Sequence, residues 1–340
     1  MGSFEDIPPA DDPMDESSLA APKISVIIPF YNRKRHIKEC IKSILSSSLE
    51  QIEVICVDDG STDGTHELLE KLSVKDSRIL LVTTDHSGAY NARWCGLQYA
   101  RGEYIHFMDS DDLIDSEAYN ELYSICKEKD LDQLVFTAES FTSDKHTPSE
   151  EKVKTGFDKH YKLDDTCCDK VMDGKELFRL LCKNRSFFVG FPMRLIRRCI
   201  IQGMGIPYCE AKWHADNFYT VVWMYRSRRA LAINRKYYKR RVHRNSITMV
   251  KDSDEKHFGS ILSVILAFCR FEEFVSEGVK QGTEESNYVT RLLRGLYKRL
   301  SKIDSEAALA ISKVVVGNHT LSFSDFINLC FIPLLHKALK

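Results

Sequence analysis

GEYIHFMDSDD, residues 102–112, decides the fold. Residues 104–108 are aromatic, β-branched and apolar, the composition of a short buried strand. The strand ends in Asp109-Ser110-Asp111-Asp112, three carboxylates in four residues. Neighbouring carboxylates disfavour one another's charged forms, so such a cluster needs a partner. A hard divalent cation that also grips phosphate oxygens is one, because magnesium-type ions bind through one or two carboxylates plus substrate phosphates. A polar loop capping the next helix is the other reading of the same residues.

Upstream, residues 23–30, KISVIIPF, form a buried strand stopped by Pro29. Apolar residues at Ile37, Cys40, Ile41, Ile44 and Leu45 have helical spacing. Residues 52–57 form a second strand, apolar except for Glu53, which runs into Asp58-Asp59-Gly60-Ser61-Thr62-Asp63. A helix with Leu68, Leu69 and Leu72 on one face follows, then a third strand over 78–83 and a helix over 88–100 rich in small residues. Beyond residue 112 come a helix around Leu122 and Ile125 and a strand over 133–137. This alternation predicts an α/β fold with a mostly parallel sheet covered by helices on both faces. Ligands of such sheets bind beyond the carboxyl ends of the strands. Tyr31-Asn32, Asp58-Asp59 and residues 109–112 all fall at those ends, so one rim gathers the reactive groups.

Residues 140–170 are polar and poorly periodic, which predicts a mobile insert. Residues 174–183 and 213–225 read as helices, 203–209 as a turn, and 231–241 as a strand leading into VHRNSIT at 242–248. From residue 254 onward the pattern is helical. Residues 1–22 are acidic and rich in proline and serine, a disordered leader without the basic and apolar parts of a signal peptide. The expected organisation is a leader over 1–22, a domain over 23–250 with halves at 23–137 and 171–250, and a helical C-terminal region over 251–340.

The 340 residues suffice for one large domain and an appendage. A hydrophobic content of 43% suits a soluble core, and a net charge of -1 provides no long-range field for nucleic acid. The 11 cysteines, odd in number and without a C-x-x-C pair, fit a reduced intracellular protein better than a disulfide scaffold. No stretch approaches the roughly 20 apolar residues of a membrane span.

Such a rim suits a donor built of nucleotide, diphosphate and sugar. The Tyr31 ring offers a base a stacking face, and Asp59 offers base or ribose an acceptor. Asp111, helped by Asp109, can hold a metal on the diphosphate. Arg93 can reach the same phosphates, which its planar fork suits. Each has a structural counterpart: Tyr31 as core, Asp59-Gly60 as a turn, Arg93 as a solvated helix charge. Asp216, in WHADNFY, stands near a helix start, where it either caps the helix or takes a proton as general base. His243 and Arg244 either bind diphosphate or belong to a solvated basic hairpin.

KISVIIPFYN, VICVDDGSTDGT and SGAYNARWCGLQYARGEYIHFMDSDD, in that order and spacing, resemble the nucleotide-binding half of family 2 glycosyltransferases. HADNFY and YYKRRVHRNSIT look like acceptor-side segments of members that build bacterial polysaccharides. The resemblance covers about residues 23–136. It implies the GT-A fold, Rossmann-like, with a UDP-sugar donor, Mn2+ or Mg2+, and inversion at the anomeric carbon. It places Tyr31 and Asp59 at the nucleotide, Asp109 and Asp111 at the metal and ribose-diphosphate, and Asp216 as the base. Pro29, Gly88, Ser110 and His243 complete the donor-binding set. Two residues depart from the family pattern: Ala215 where an acidic residue often precedes the base, and Trp94 where Asn is usual.

Two other classes compete with this reading. A sugar nucleotidyltransferase usually begins with a glycine- and arginine-rich phosphate loop, whereas this first strand leads into PFYNRKRH. A degenerate nucleotide-binding or scaffolding protein of the same fold has no need of intact Asp-rich clusters. Residues 323–340 are strongly apolar with lysines at the end. They either lie on the inner face of the cytoplasmic membrane and bring the site to a lipid-linked saccharide, or pack on the enzyme or a second copy in a homodimer.

Overall fold

In β1 (Ile24–Phe30) and β2 (Ile52–Asp58) every residue is buried, as a sheet covered on both faces requires. The structure, a computed structural model, describes residues 21–142, 158–202 and 215–242, with Glu284, Tyr288 and Arg291. Two compact units divide the chain, one up to Ser124 and one from Ile125.

In the first unit β1 pairs in parallel with β2 and with β4 (Tyr104–Phe107), and β2 pairs in parallel with β3 (Ile79–Thr83). Helices α1 (Ile37–Leu45), α2 (Thr65–Ser73) and α3 (Ala89–Gln98) form the crossovers, and a two-residue strand β5 (Leu113–Ile114) precedes α4 (Ala118–Glu128). The strand order β3-β2-β1-β4 reverses direction at β1. Open α/β sheets form their ligand crevice at such a reversal. α3 lies very close to the sheet: a Cβ on Gly96 would stand 2.7 Å from Ile27 Cγ2 and 2.9 Å from Val57 Cγ2. Near the start of β2, Glu53 is accommodated by the Ser25 hydroxyl at 2.6 Å and the backbone N–H groups of Arg101 at 2.7 Å and Gly102 at 3.1 Å. Buried carboxylates are stable only with such partners.

In the second unit β6 (Gln133–Phe141) pairs antiparallel with β7 (Arg194–Arg197) and parallel with β8 (Ala230–Arg241), with an irregularity near Thr137. The sheet content is therefore mixed. α5 (Gly174–Lys183), capped by the Asp173 carboxylate accepting from Lys175 N, packs on α7 (Ala215–Arg226). A one-turn helix, α6 (Arg198–Ile201), follows β7.

Several boundaries differ from expectation. Pro29 does not stop β1 but sits inside it, paired with Val57. Pairing with β4 has ended at Ile27, so the missing N–H breaks no second ladder there. β6 continues to Phe141, and the aromatic-basic run after residue 187 supplies β7. The later part of the expected mobile insert carries short 3-10 turns at Asp158–Tyr161 and Asp165–Cys167. Polar side chains order it: Asp158 accepts from Ser140 N and Asp164 from Thr166 N, contacts to which hydrophobic periodicity is blind. The expected leader up to residue 20, the turn at 203–209 and the apolar segment 323–340 lie outside the described residues.

Candidate active site

The carboxyl ends of β1, β2, β3 and β4 carry the site of the first unit. After β1 the chain turns through Asn32 at φ 52° and is fastened to the loop after β2. Asn32 N donates to Ser61 Oγ, Thr62 N to Asn32 Oδ1, Arg33 N to Thr65 Oγ1, and Lys34 N to Asp63 Oδ2. This leaves Tyr31 42% exposed, which excludes its reading as core. Its ring stacks on His86 with centroids 4.1 Å apart and planes 26° from parallel. A stack backed on one side by an imidazole is a ready platform for a flat heterocycle.

Asp59 is 2% exposed. Its carboxylate accepts from Thr84 Oγ1 at 2.9 Å, Ser87 N at 2.7 Å and Gly88 N at 2.9 Å, and His86 Nδ1 lies 3.3 Å from Oδ2. The residue expected to meet the base thus holds the loop between β3 and α3. Gly88 takes φ 92° at the start of α3, a backbone setting suited to glycine. Gly60, at φ 73°, lets the two loops approach: a Cβ there would stand 3.2 Å from His86 N.

Beyond β4 the acidic run alternates. Ser110 and Asp112 turn inward, 7% and 3% exposed, while Asp109 and Asp111 remain partly open to solvent. The Arg93 guanidinium reaches from α3 to Asp109, with Nη2 2.5 Å from Oδ1. Arg33 Nε stands 3.8 Å from Asp111 Oδ2. The two cations offset the mutual repulsion of the carboxylates. Among the described residues no three His, Cys, Asp or Glu side chains gather into a metal cage. Asp109 and Asp111 nevertheless present partly exposed hard oxygen donors after the strand tip, which could hold a divalent cation where phosphates complete its shell. Pro29 lies buried at the base of this rim.

In the second unit Asp216 occupies the first turn of α7, where the helix dipole favours its charge. Asn217 N lies 3.1 Å from its Oδ1. Arg194 on β7 is 1% exposed, donates from Nη2 to Phe188 O at 2.8 Å, and feels the charge of Asp216. Burial pushes this guanidinium down to about 9, against the upward pull of Tyr288 and Asp216, so it remains charged at neutral pH. His243 lies outside the described residues, as does Arg244.

Sequence reading missed His86, Arg33, Arg194 and Tyr288. His86 was within reach of the rule that found the other clusters, since it follows the carboxyl end of β3. Arg194 has its own signal, a single charge within the apolar run FPMRLI.

A largely parallel first sheet with an aromatic and acidic rim at its order reversal defines a GT-A glycosyltransferase frame. The chain belongs to glycosyl transferase family 2, whose model matches residues 25–202. It is 37% identical over 113 residues to glycosyltransferase GlyG of Streptococcus pneumoniae serotype 4, covering 33% of this chain and 38% of that protein. It is 40% identical over 108 residues to the Escherichia coli UDP-Glc:alpha-D-GlcNAc-diphosphoundecaprenol beta-1,3-glucosyltransferase WfaP, covering 31% and 42%. The chain thus matches about two fifths of the length of these relatives. The crystal structure of S. aureus TarS 1-349 in complex with UDP shares the fold, with TM-score 0.57 and 19% identity over 93% of this chain and 87% of that one.

Proposed function

We propose that the chain transfers a sugar from a UDP-sugar to a saccharide or lipid-linked saccharide acceptor, with inversion and with help from Mn2+ or Mg2+. The observation that carries the reading is the rim at the β1–β4 reversal, where exposed Tyr31 and the partly open Asp109 and Asp111 follow adjacent strands. Tyr31, backed by His86, stacks on the uracil. Asp109 and Asp111 hold the cation, which when bound neutralises charge on the departing diphosphate. Arg93 and Arg33 add fixed positive charge beside those carboxylates. Preorganised charge of this kind usually contributes more to the rate than any other single effect.

Asp216 takes the proton of the acceptor hydroxyl as its oxygen bonds to the anomeric carbon. The bond from that carbon to the diphosphate breaks, and UDP leaves with the electron pair. The donor named for WfaP and the UDP bound to TarS support the choice of nucleotide. No helix among the described residues is long and apolar enough to cross a membrane, and the described cysteines are free thiols, which suits a reducing cytoplasm.

The division of roles predicts that Asp111→Ala loses UDP–Mn2+ affinity in isothermal titration while Asp216→Asn keeps it. Turnover of Asp216→Asn should fall about 10²-fold or more. Equal loss of UDP affinity in both variants would contradict the assignment.

A further inference from the structure

We infer that Tyr288, from the C-terminal region, is a positioning residue for the Asp216 carboxylate and acts through the side-chain amide of Asn217. The inference rests on the reading of Asp216 as the general base. The Tyr288 hydroxyl lies 3.2 Å from the backbone oxygen of Asn217 and 3.2 Å from its Oδ1. Asn217 Nδ2 in turn lies 3.4 Å from Asp216 Oδ1. An amide has one accepting end and one donating end. With Oδ1 engaged by the tyrosine, the NH2 group is the end turned to the carboxylate. Without the hydroxyl the amide gains freedom to turn its oxygen toward Asp216, where two acceptors would repel.

The hydroxyl is well fixed. The Tyr288 ring meets Phe178 edge-on at 5.7 Å and Phe187 at 5.4 Å. Arg291 covers the ring at 5.6 Å and reaches Cys182 Sγ at 3.6 Å. Both residues are in helical backbone. Burial, reinforced by the charge of Asp216, holds the tyrosine hydroxyl well above its ordinary range, so it stays a donor at any working pH. A residue far beyond the matched family segment therefore reaches the neighbour of the residue assigned the proton transfer.

The experiment measures UDP release from UDP-glucose and UDP-N-acetylglucosamine with Mn2+, using the full chain. Tyr288→Phe keeps the ring and removes only the hydroxyl. It should lower kcat about tenfold, the scale of a slightly misplaced catalytic group, with KM and UDP affinity unchanged. Asn217→Ala should do the same, and the double variant should be scarcely slower than either single one, since both interrupt one relay. Tyr288→Phe at wild-type kcat, or effects that multiply in the double variant, overturns the relay; an inactive Asp216→Asn beside that result leaves the base in place. Asp216→Asn turning over at wild-type rate removes the base and the relay together. A melting curve checks each variant. If Tyr288→Phe unfolds early, Asn217→Ala decides alone, and its kcat equal to wild type overturns the proposal.

Discussion

Arg194 carries its charge where water scarcely reaches. Breaking a buried charge out of its setting is usually costly, yet replacing one with an apolar side chain of similar volume is often neutral or stabilising. Arg194→Met forfeits a hydrogen bond from a charged group to Phe188 O, about 1.5–3 kcal/mol, and the ring contacts with Phe187 and Phe188, and removes a desolvation cost of several kcal/mol. The variant should melt no earlier than wild type. Its turnover should fall about tenfold or more, because a nearby cation favours an ionised Asp216. An earlier melt with unchanged rate would assign Arg194 to structure alone. At this scale the place of Tyr31, Asp109 and Asp111 on the strand-end rim was legible. The partners of a carboxylate were not: Asp59 reads as an acceptor for a base, and its oxygens also accept from Thr84, Ser87 and Gly88. Nothing in residue order shows those partners.

At the scale of elements, α3 joins core to site. One side of it, at Gly96, touches Ile27 and Val57; Gly88 opens it and Arg93 leaves it for Asp109. Alanine normally improves a helix by about 1 kcal/mol over glycine. Here the added methyl would stand 2.7 Å from Ile27 Cγ2, so Gly96→Ala should cost about 1–3 kcal/mol by overpacking. Lifting the helix also shifts Arg93, and UDP–Mn2+ affinity should drop with stability. Calorimetry and titration on one sample test this; a stabilised variant with intact affinity would refute the packing argument. The parallel strands were legible because burial on both faces leaves continuous apolar runs, as in ISVIIPF and IEVICVD. β7 escaped because it is short and its two apolar residues, Leu195 and Ile196, are adjacent and flanked by arginines, without the alternation that marks a strand. The insert escaped because side-chain carboxylates, not apolar contacts, hold its turns.

For the whole molecule, a ligand that binds only the folded chain stabilises it by mass action, about 2.7 kcal/mol at a hundredfold excess over Kd. UDP with Mn2+ should therefore raise the melting temperature by several degrees, and UDP with EDTA by much less. Equal shifts with and without metal would remove the cation from donor binding. The overall architecture was readable because alternating strands and helices admit few topologies, and the rule about strand ends then located the rim. The reach of the C-terminal region to Asn217 was not readable, since it depends on a contact between residues 71 positions apart.

The carboxylate of Asp59 fixes the loops around it before any ligand arrives. Because it already gathers the amides of Ser87 and Gly88 and the hydroxyl of Thr84, the donor cradle is set during folding. On the proposed reading, an arriving nucleotide would meet a mould rather than clay: little chain entropy would remain to be lost in ordering these loops.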